Sequence, residues 1–361
     1  MYVCIFKPIT LRYSCPVCLE ISFLFRDQRI PILEVAIMFN NTSKPGLNIP
    51  PLENAKYIMP LPIEEAASEV DLPVIDISEF PEDLDCKDLS QLRYHPLLAK
   101  LRKACKEWGF FQLVNHGIPE DLLERAENVC RDLLSLPTVV KDRALTANPF
   151  DTYYRTGNFE AFRLPDSTNP TSVEQMCTKI CPEGNPIFCE TMATYSLPIS
   201  NLETNITKII LASLGLDVNA FYHSHFEKCP SILRINGYSS EKLSIGEDVL
   251  SSHTDGGCLG ILKQDDVGGL QIRSQEGEWF NAWSNGRCRS TEHRVVYKGW
   301  RDRMSIAFFT VFPEEMEIWA PVELVDDDNP RRYRPFIFSH FKQESLTYKE
   351  KTTALEKFAG I

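Results

Sequence analysis

The sequence predicts an α+β protein in which a helical N-terminal half packs against a C-terminal β-barrel. Between residues 96 and 214, apolar residues recur at helical spacing, and Gly or Pro marks the ends of these segments. After Pro230, short runs rich in β-branched and aromatic residues are separated by Gly and Asp, a pattern typical of a sandwich or a barrel. The two halves are expected to share one core.

The predicted elements follow the chain in order. A short strand at 72–77 opens the globular part, and a second strand at 110–114 ends in an Asn-His-Gly turn. Three helices are predicted. The first covers 96–108, the second begins with Pro119 as its first residue, and the third covers about 199–214. Strands of the C-terminal half are predicted at 231–238, 250–255, 259–263, 269–273, 289–297 and 304–312.

Four regions result from these elements. Residues 1–69 are predicted to form an irregular leader, because 40–70 is rich in Pro and Asn. As an alternative, about the first 40 residues are not native protein, and Met38 is the true start. The other predicted regions are a helical part at 70–228, a barrel at 229–345 and a C-terminal helix at 346–361.

Composition narrows the class of protein. A net charge of −12 and a pI near 5.2 argue against nucleic acid or an anionic membrane as a partner.

The 12 cysteines are scattered and are expected to be reduced, and the Cys15/Cys18 pair is best explained by chance. The apolar runs at 18–25 and 30–39 are short and carry an acid each, so neither a membrane span nor a signal peptide is expected. We expect a cytoplasmic monomer.

Three residues form a candidate metal site. His253 and Asp255 are two apart in a predicted strand, so both can face one cavity, and His293 follows 40 residues later. Two His and one carboxylate on one side of a metal form the facial triad of non-haem Fe(II) oxygenases. The His-x-acid pattern by itself is weak evidence for a metal site, since 7 His and 50 acidic residues in 361 predict about one such match by chance. His225-Phe-Glu is such a match, but it lies in a predicted helix, and His225 is expected at the surface or at the helix end.

A second pair lies near the candidate triad. Arg303 and Ser305 are again two apart in a predicted strand and can face the same cavity. A guanidinium with a hydroxyl beside it is suited to bind a carboxylate, because its fork of N–H donors matches the two oxygens.

The chain resembles the plant 2-oxoglutarate- and Fe(II)-dependent dioxygenases, most closely the branch of gibberellin, auxin and glucosinolate oxidases. The resemblance covers roughly residues 70–345. It depends on the segments LPVID (72–76), WGFFQLVNHGIP (108–119), RINGY (234–238), HTD (253–255), GGLQI (268–272), WSNGR (283–287), EHRV (292–295) and RMS (303–305).

The resemblance implies a fold, a chemistry and residue roles. The fold would be a double-stranded β-helix (jelly-roll, cupin-like) flanked by N-terminal helices. The enzyme would hydroxylate or desaturate a small organic substrate, such as a hormone or specialised metabolite, while 2-oxoglutarate is decarboxylated to succinate. Fe(II), 2-oxoglutarate and O₂ would be required, with ascorbate as reductant. The implied iron ligands are His253, Asp255 and His293, and the implied 2-oxoglutarate contacts are Arg303, Ser305, Tyr238 and Asn236.

The chain departs from the family between Trp279 and Trp283. The resemblance implies roughly two strands with their turns at this place, whereas only three residues separate the two Trp here. Loss of a strand pair would leave the barrel incomplete and open two strand edges. Either His293 would then move away from the metal, or the remaining strands would pair around the gap.

Two classes of function therefore remain open. The first is an active 2-oxoglutarate-dependent dioxygenase. The second is a non-catalytic, truncated relative that has lost barrel strands and the working iron site. A storage-type cupin is disfavoured, because it would not need Arg303 and Ser305 beside a metal triad.

Because of the missing strands, we expect the polypeptide to fold poorly and to have weak activity. The measurements are the yield of folded protein, its Fe(II) content and its release of CO₂ from 2-oxoglutarate. A well-folded product with one bound Fe(II) and normal turnover would contradict this expectation.

Overall fold

The computed structural model describes residues 1–4, 72–80, 95–146, 152–241, 243–272, 281–299, 301–345, 347–348 and 353–361. Most of the predicted leader, the Cys15/Cys18 pair and Trp279 lie outside these residues. Among the described helices, none combines the length and apolar character that crossing a bilayer requires.

Eight α-helices are described. The predicted helix at 96–108 is confirmed, with His95 accepting from the Leu97 amide at its start. The second begins one residue later than predicted, because Pro119 is its N-cap. The third predicted helix is longer than expected, since it begins at Pro186, with Asn185 as its N-cap, and continues through Pro198. The helices are α1 Pro96–Glu107, α2 Glu120–Ser135, α3 Thr138–Lys141, α4 Pro170–Ile180, α5 Pro186–Ser213, α6 Val218–His225, α7 Phe338–Ser345 and α8 Ala354–Ala359.

The described strands form two main sheets and a small two-stranded one. The large sheet has the order β2-β3-β1-β8-β11-β6-β5-β4, and a three-stranded sheet has the order β7-β10-β9. The strands are β1 Tyr2–Cys4, β2 Val74–Asp76, β3 Phe110–Val114, β4 Tyr153–Thr156, β5 Phe159–Pro165, β6 Ser231–Tyr238, β7 Asp248–His253, β8 Leu259–Gln264, β9 Leu270–Ile272, β10 His293–Val296, β11 Arg303–Thr310, β12 Glu317–Ile318 and β13 Phe336–Ile337.

The N-terminal strand β1 differs from the predicted irregular leader. It pairs in parallel with β3 on one side and with β8 on the other, and the Gly260 amide donates to the Met1 carbonyl at 2.9 Å. An unpaired strand edge exposes a row of backbone donors and acceptors, so a partner strand stabilises β8. Among the described strands, β8 therefore has a partner on both sides, whereas β9 is at the edge of its sheet.

The helical and β parts share one core, as the sequence predicts. One cluster of buried side chains joins Leu101 of α1, Ile206 of α5, Ile235 of β6 and Phe308 of β11. These four side chains are at most 2% exposed. The helices therefore support the large sheet from one side, and this support fixes the strands that position the site.

Two further expectations concern the helical part and the tail. Of the two positions expected for His225, the helix end is confirmed, because His225 is the last residue of α6. The surface position is wrong: His225 is 4% exposed, and its ring stacks on Phe221 with 3.9 Å between the ring centres. The C-terminal helix predicted at 346–361 is described only over α8, Ala354–Ala359. The eight cysteines with described side chains are free thiols, and six of them are buried.

The pairing of β1 can be tested by replacing Val3 with Pro. Because Val3 is the middle residue of a strand paired on both sides, Pro removes one ladder hydrogen bond and leaves a backbone acceptor without a donor. We expect the free energy of unfolding to fall by ~1–3 kcal/mol, measured by thermal or urea unfolding. Val3→Ile keeps the amide and is the control. Identical unfolding of both variants would show that β1 does not pair in solution.

Candidate active site

A cavity of about 670 Å³ lies between the large sheet and the three-stranded sheet. All seven side chains that the sequence singles out line this cavity, namely His253, Asp255, His293, Arg303, Ser305, Tyr238 and Asn236. A volume of this size holds a small molecule together with a cosubstrate.

The strand pairing of β10 with β7 places two imidazoles side by side. His293 lies directly opposite His253 in this antiparallel pair, and their ring centroids are 4.3 Å apart. β7 ends at His253, so Asp255 reaches the site from the loop after the strand and not, as the sequence predicts, from within it. Its two carboxylate oxygens each lie 3.7 Å from an imidazole Nε2, one from His253 and one from His293.

Backbone carbonyls fix the tautomer of both imidazoles. His253 Nδ1 lies 2.8 Å from the Ser251 carbonyl, and His293 Nδ1 lies 3.0 Å from the Thr291 carbonyl. Because a carbonyl oxygen only accepts, each Nδ1 carries the proton, and each Nε2 presents a lone pair towards Asp255.

The three groups fit a divalent metal ion. His253, Asp255 and His293 each offer one ligand atom, and these atoms lie within 4.8 Å of one another. Asp255 Oδ2 is buried and finds no hydrogen-bond donor among the described residues, which is costly for a carboxylate unless a cation is bound. Two neutral imidazole nitrogens and one carboxylate oxygen are the donor set of a non-haem Fe(II) site.

Burial changes the pKa of each of the three groups. Burial lowers the pKa of His293 to about 4. The pKa of His253 is also lowered to about 4, mainly by burial and to a smaller extent by the neighbouring His293. Both imidazoles are therefore neutral at pH 7. Burial raises the pKa of Asp255 to about 6, partly offset by the N-terminal ammonium group of Met1.

A buried guanidinium lies at one end of the cavity. Arg303 is 4% exposed, and it donates to the Gly268 carbonyl, to Gln264 Oε1 at 2.9 Å and to Ser305 Oγ at 3.4 Å. None of its hydrogen bonds within the described part of the chain goes to a carboxylate. A buried Arg with only neutral acceptors still lacks a counter-charge, so the end of the cavity at Arg303 favours an anion.

Strand β6 completes this end of the cavity. Arg303 lies opposite Tyr238 and Ser305 opposite Asn236 in the β11–β6 pair, so all four side chains share one face. The Arg303 guanidinium lies 4.6 Å from the centre of the Tyr238 ring, and Asn236 donates to Ser305 Oγ at 3.3 Å. The sequence motifs predict this grouping, and the strand register produces it.

Asp265 orders the backbone around Arg303, which sequence reasoning missed. Its carboxylate accepts from the amides of Met304 (2.8 Å) and Val267 (3.2 Å), and Arg131 donates to it at 3.0 Å. These bonds connect the first residues of β11 to the turn whose Gly268 carbonyl receives Arg303. The sequence signal that could have identified Asp265 is its position directly after the strand Leu259–Gln264, and the structure shows that its side chain is buried.

Comparison with known proteins decides the family. Residues 72–186 match the N-terminal model of the non-haem dioxygenases, described for morphine synthesis, and residues 229–311 match the 2OG-Fe(II) oxygenase superfamily. The chain is 31% identical over 286 residues to a 2-oxoglutarate-dependent dioxygenase, DAO, of Oryza sativa subsp. indica, covering 73% of this chain and 93% of the relative.

This chain belongs to the 2OG-Fe(II) oxygenase superfamily. It is also 31% identical over 334 residues to a gibberellin 20-oxidase-like protein of Arabidopsis thaliana, covering 81% of this chain and 98% of that protein. The crystal structure of the rice dioxygenase for auxin oxidation superimposes with a TM-score of 0.68 at 30% identity, covering 80% of this chain and all of that one. The predicted family, enzyme class and cofactors are confirmed: this 2OG-Fe(II) oxygenase uses Fe(II) and 2-oxoglutarate.

Metal binding by this 2OG-Fe(II) oxygenase should weaken as the pH falls below 6. A metal needs the Asp255 carboxylate ionised, and its pKa of about 6 means that a proton competes below that value. Because both imidazoles have a pKa of about 4, they stay neutral until the pH is much lower. We therefore expect the logarithm of the Fe(II) association constant, measured anaerobically, to fall by about one unit per pH unit between 6 and 4.

Circular dichroism at each pH is the control that the protein stays folded. Imidazoles with an ordinary pKa near 6.5 would compete as well and give a slope approaching three. A slope of that size, or no dependence below pH 6, would contradict the assignment of these pKa values.

Proposed function

We propose that this chain catalyses the 2-oxoglutarate-dependent hydroxylation or desaturation of a small organic molecule. His253, Asp255 and His293 would hold Fe(II), and Arg303, Ser305, Tyr238 and Asn236 would bind 2-oxoglutarate. The main support is one observation on the described residues. The Asp255 carboxylate, one buried oxygen of which has no donor, lies 3.7 Å from both imidazole Nε2 atoms. The buried Arg303, which has no acid partner among these residues, lines the same cavity.

Each group has a defined task in this proposal. When bound, Fe(II) supplies the activation of O₂ that couples substrate oxidation to decarboxylation of 2-oxoglutarate into succinate. The carbonyls of Ser251 and Thr291 keep the imidazoles oriented towards the metal. Arg303 orients the cosubstrate through its distal carboxylate, with Ser305 beside it, and the surrounding sheets keep water away from the reacting atoms.

The fold supports the same proposal in finer detail. We infer that the large sheet and the three-stranded sheet are the two faces of a double-stranded β-helix, with β1 beside β8 and the barrel incomplete next to β9. The names of the relatives refer to auxin oxidation and to gibberellin, and we infer a hormone-sized substrate for this chain too. A monomer in the cytoplasm, and ascorbate as reductant, stay predictions from the sequence.

The alternative of a non-catalytic relative depends on loss of the iron site. Displacement of His293 away from the metal, one of the two expected consequences of the missing strands, is not found, since His293 lies beside His253. The expectation of poor folding and weak activity stays a prediction that the following experiment tests.

Anaerobic Fe(II) titration and CO₂ release from carboxyl-labelled 2-oxoglutarate test the proposal. We expect one Fe(II) per chain and CO₂ release that depends on it. Asp255→Ala should lose both, because it removes the only charged ligand. No bound iron and no CO₂ release from the folded, unsubstituted protein would select the non-catalytic alternative.

The role of Arg303 is tested by Arg303→Gln. Loss of a buried, bidentate, charged pair with a carboxylate should weaken 2-oxoglutarate binding by about 100-fold, on the order of 3 kcal/mol, and leave Fe(II) binding unchanged. Arg294→Gln is the matched control, because Arg294 follows His293 on β10 but is half-exposed and pairs with Asp248. Equal effects of the two substitutions on 2-oxoglutarate affinity would contradict the assignment.

A further inference from the structure

The loop that carries Asp255 is anchored to the end of strand β11. It runs from Asp255 through two glycines to Cys258, which precedes β8. The Cys258 amide donates to the Thr310 carbonyl at 2.9 Å, and a Cβ on Gly257 would lie 3.2 Å from the same carbonyl oxygen. The loop is therefore packed closely against β11, and Cys258 helps to fix the metal ligand three residues before it.

A second cysteine approaches β11 from its other side. Cys229 lies just before β6, the strand that flanks β11 on the side opposite β8. The carbonyl of the next residue, Pro230, accepts from the Val311 amide at 3.1 Å. Cys258 and the residue after Cys229 are thus held by hydrogen bonds to consecutive residues at one strand end, although the two cysteines are far apart in the sequence.

The two thiols meet across this strand end. The Cys258 thiol is hydrogen-bonded to the Cys229 sulfur, and Cys229 donates to the His225 carbonyl at 3.1 Å. A direct contact between thiols is the first requirement for a disulfide, because distant or diverging side chains cannot be bridged without a large movement of the backbone.

The two cysteines differ in accessibility. Cys258 is 2% exposed, and burial together with the contact to Cys229 raises the pKa of its thiol. Cys229 is half-buried. Pro230 and Gly257, the chain neighbours of the two cysteines, line the active-site cavity. A small oxidant thus reaches Cys229 first, and Cys258 is the partner that reacts with the oxidised sulfur.

We propose that Cys229 and Cys258 are a modification site, at which a hydroperoxide forms a reversible disulfide that weakens metal binding by Asp255. The two cysteines are separate from the residues assigned to the metal and to the cosubstrate. Formation of the disulfide therefore does not depend on the proposed function, whereas its effect on Fe(II) does.

The chemistry balances with one hydrogen peroxide as the oxidant. The Cys229 thiolate attacks one peroxide oxygen and the O–O bond breaks, which leaves a sulfenic acid and releases water after protonation. The Cys258 sulfur then attacks the sulfenic sulfur, and the S–O bond breaks with loss of a second water. Two thiols thereby lose two protons and two electrons, which the peroxide takes up. A dithiol reductant restores both cysteines by exchange.

The effect on the metal site follows from the short loop. A covalent bond brings the two sulfur atoms to about 2 Å, which is shorter than any hydrogen bond between them. Cys258 must then move towards Cys229, and only two glycines separate Cys258 from Asp255. Because metal–ligand distances stay within about 0.2 Å of their ideal values, a displaced Asp255 binds the metal less well.

Two other thiol pairs provide internal controls. Cys105 and Cys288 are hydrogen-bonded to each other, but they are only 1% and 0% exposed. Cys177 of α4 is hydrogen-bonded to Cys189 of α5, which is half-buried, and neither residue lines the active-site cavity. The first pair should stay reduced, and oxidation of the second should have no effect on the metal.

Peptide mapping of peroxide-treated, metal-free protein tests the site. Free thiols are alkylated under denaturing conditions, and the protein is digested without reduction for mass spectrometry. We expect a peptide that links Cys229 to Cys258, its loss on treatment with dithiothreitol, and alkylated Cys105 and Cys288. After removal of the peroxide, anaerobic titration should show Fe(II) affinity reduced by about tenfold or more, the range found when groups that orient a metal ligand are disturbed. Dithiothreitol should restore this affinity.

Serine variants connect the disulfide to the loss of affinity. Cys229→Ser and Cys258→Ser keep a side chain of similar size and remove one sulfur, so peroxide should no longer change Fe(II) affinity in either variant. The double variant Cys177→Ser/Cys189→Ser is the matched control and should lose affinity as the unsubstituted protein does. Thermal unfolding before treatment checks that each variant is folded.

Three results would overturn the proposal. They are the absence of the linked peptide, a disulfide that leaves Fe(II) affinity unchanged, and a loss of affinity that persists in both single serine variants. If the reduced protein binds no Fe(II), the proposed function fails and the effect on the metal fails with it, whereas the peptide map still tests the disulfide. Normal Fe(II) binding without the linked peptide leaves the proposed function standing.

Discussion

The cavity buries charges that the described part of the chain does not neutralise. Among the described residues, one carboxylate oxygen of Asp255 has no donor, and the buried guanidinium of Arg303 has no acid partner. Each of these groups lowers the stability of the ligand-free protein, because desolvation of a charge is not offset by a partner. A metal at Asp255 and a cosubstrate carboxylate at Arg303 would offset both, so the ligands that the site requires would also stabilise the fold by mass action. Local conflicts of this kind are expected where a protein functions.

The sequence predicts which side chains meet in the cavity far better than it predicts how they meet. Residues two apart in a strand share a face whatever the register. The sequence alone therefore predicts that Arg303 shares a face with Ser305, and Asn236 with Tyr238. The register that sets Arg303 opposite Tyr238 depends on contacts between segments about 65 residues apart, which no local pattern encodes. Asp255 shows the opposite case: the residue was identified, but its place after the strand end, and not within it, comes from the three-dimensional path of the loop.

Element boundaries were missed where local signals compete with tertiary packing. Pro198 indicates a helix start, yet α5 runs through it, because most of the helix is buried against neighbours that offset the lost hydrogen bond. Tyr2–Cys4 gives no strand signal, since three residues are too few to show alternation. Its partners, β3 and β8, lie more than 100 residues away, and only the open edge of β8 makes pairing there favourable. The beginning of the chain thus gives β8 a second neighbour in the sheet, which no local sequence pattern predicts.

The apolar side of the cavity depends on packing between segments that no sequence motif connects. Phe336 of β13, Phe341 of α7 and Phe358 of α8 contact one another, with ring centres 5.5 to 5.7 Å apart. Phe336 and Phe341 line the cavity. Because an apolar pocket separates substrates that differ by a methylene only modestly, the shape of the substrate depends on how closely β13, α7 and α8 pack. The motifs that identify the metal ligands and the Arg303 pair carry no information about this packing, since it is a property of the folded chain.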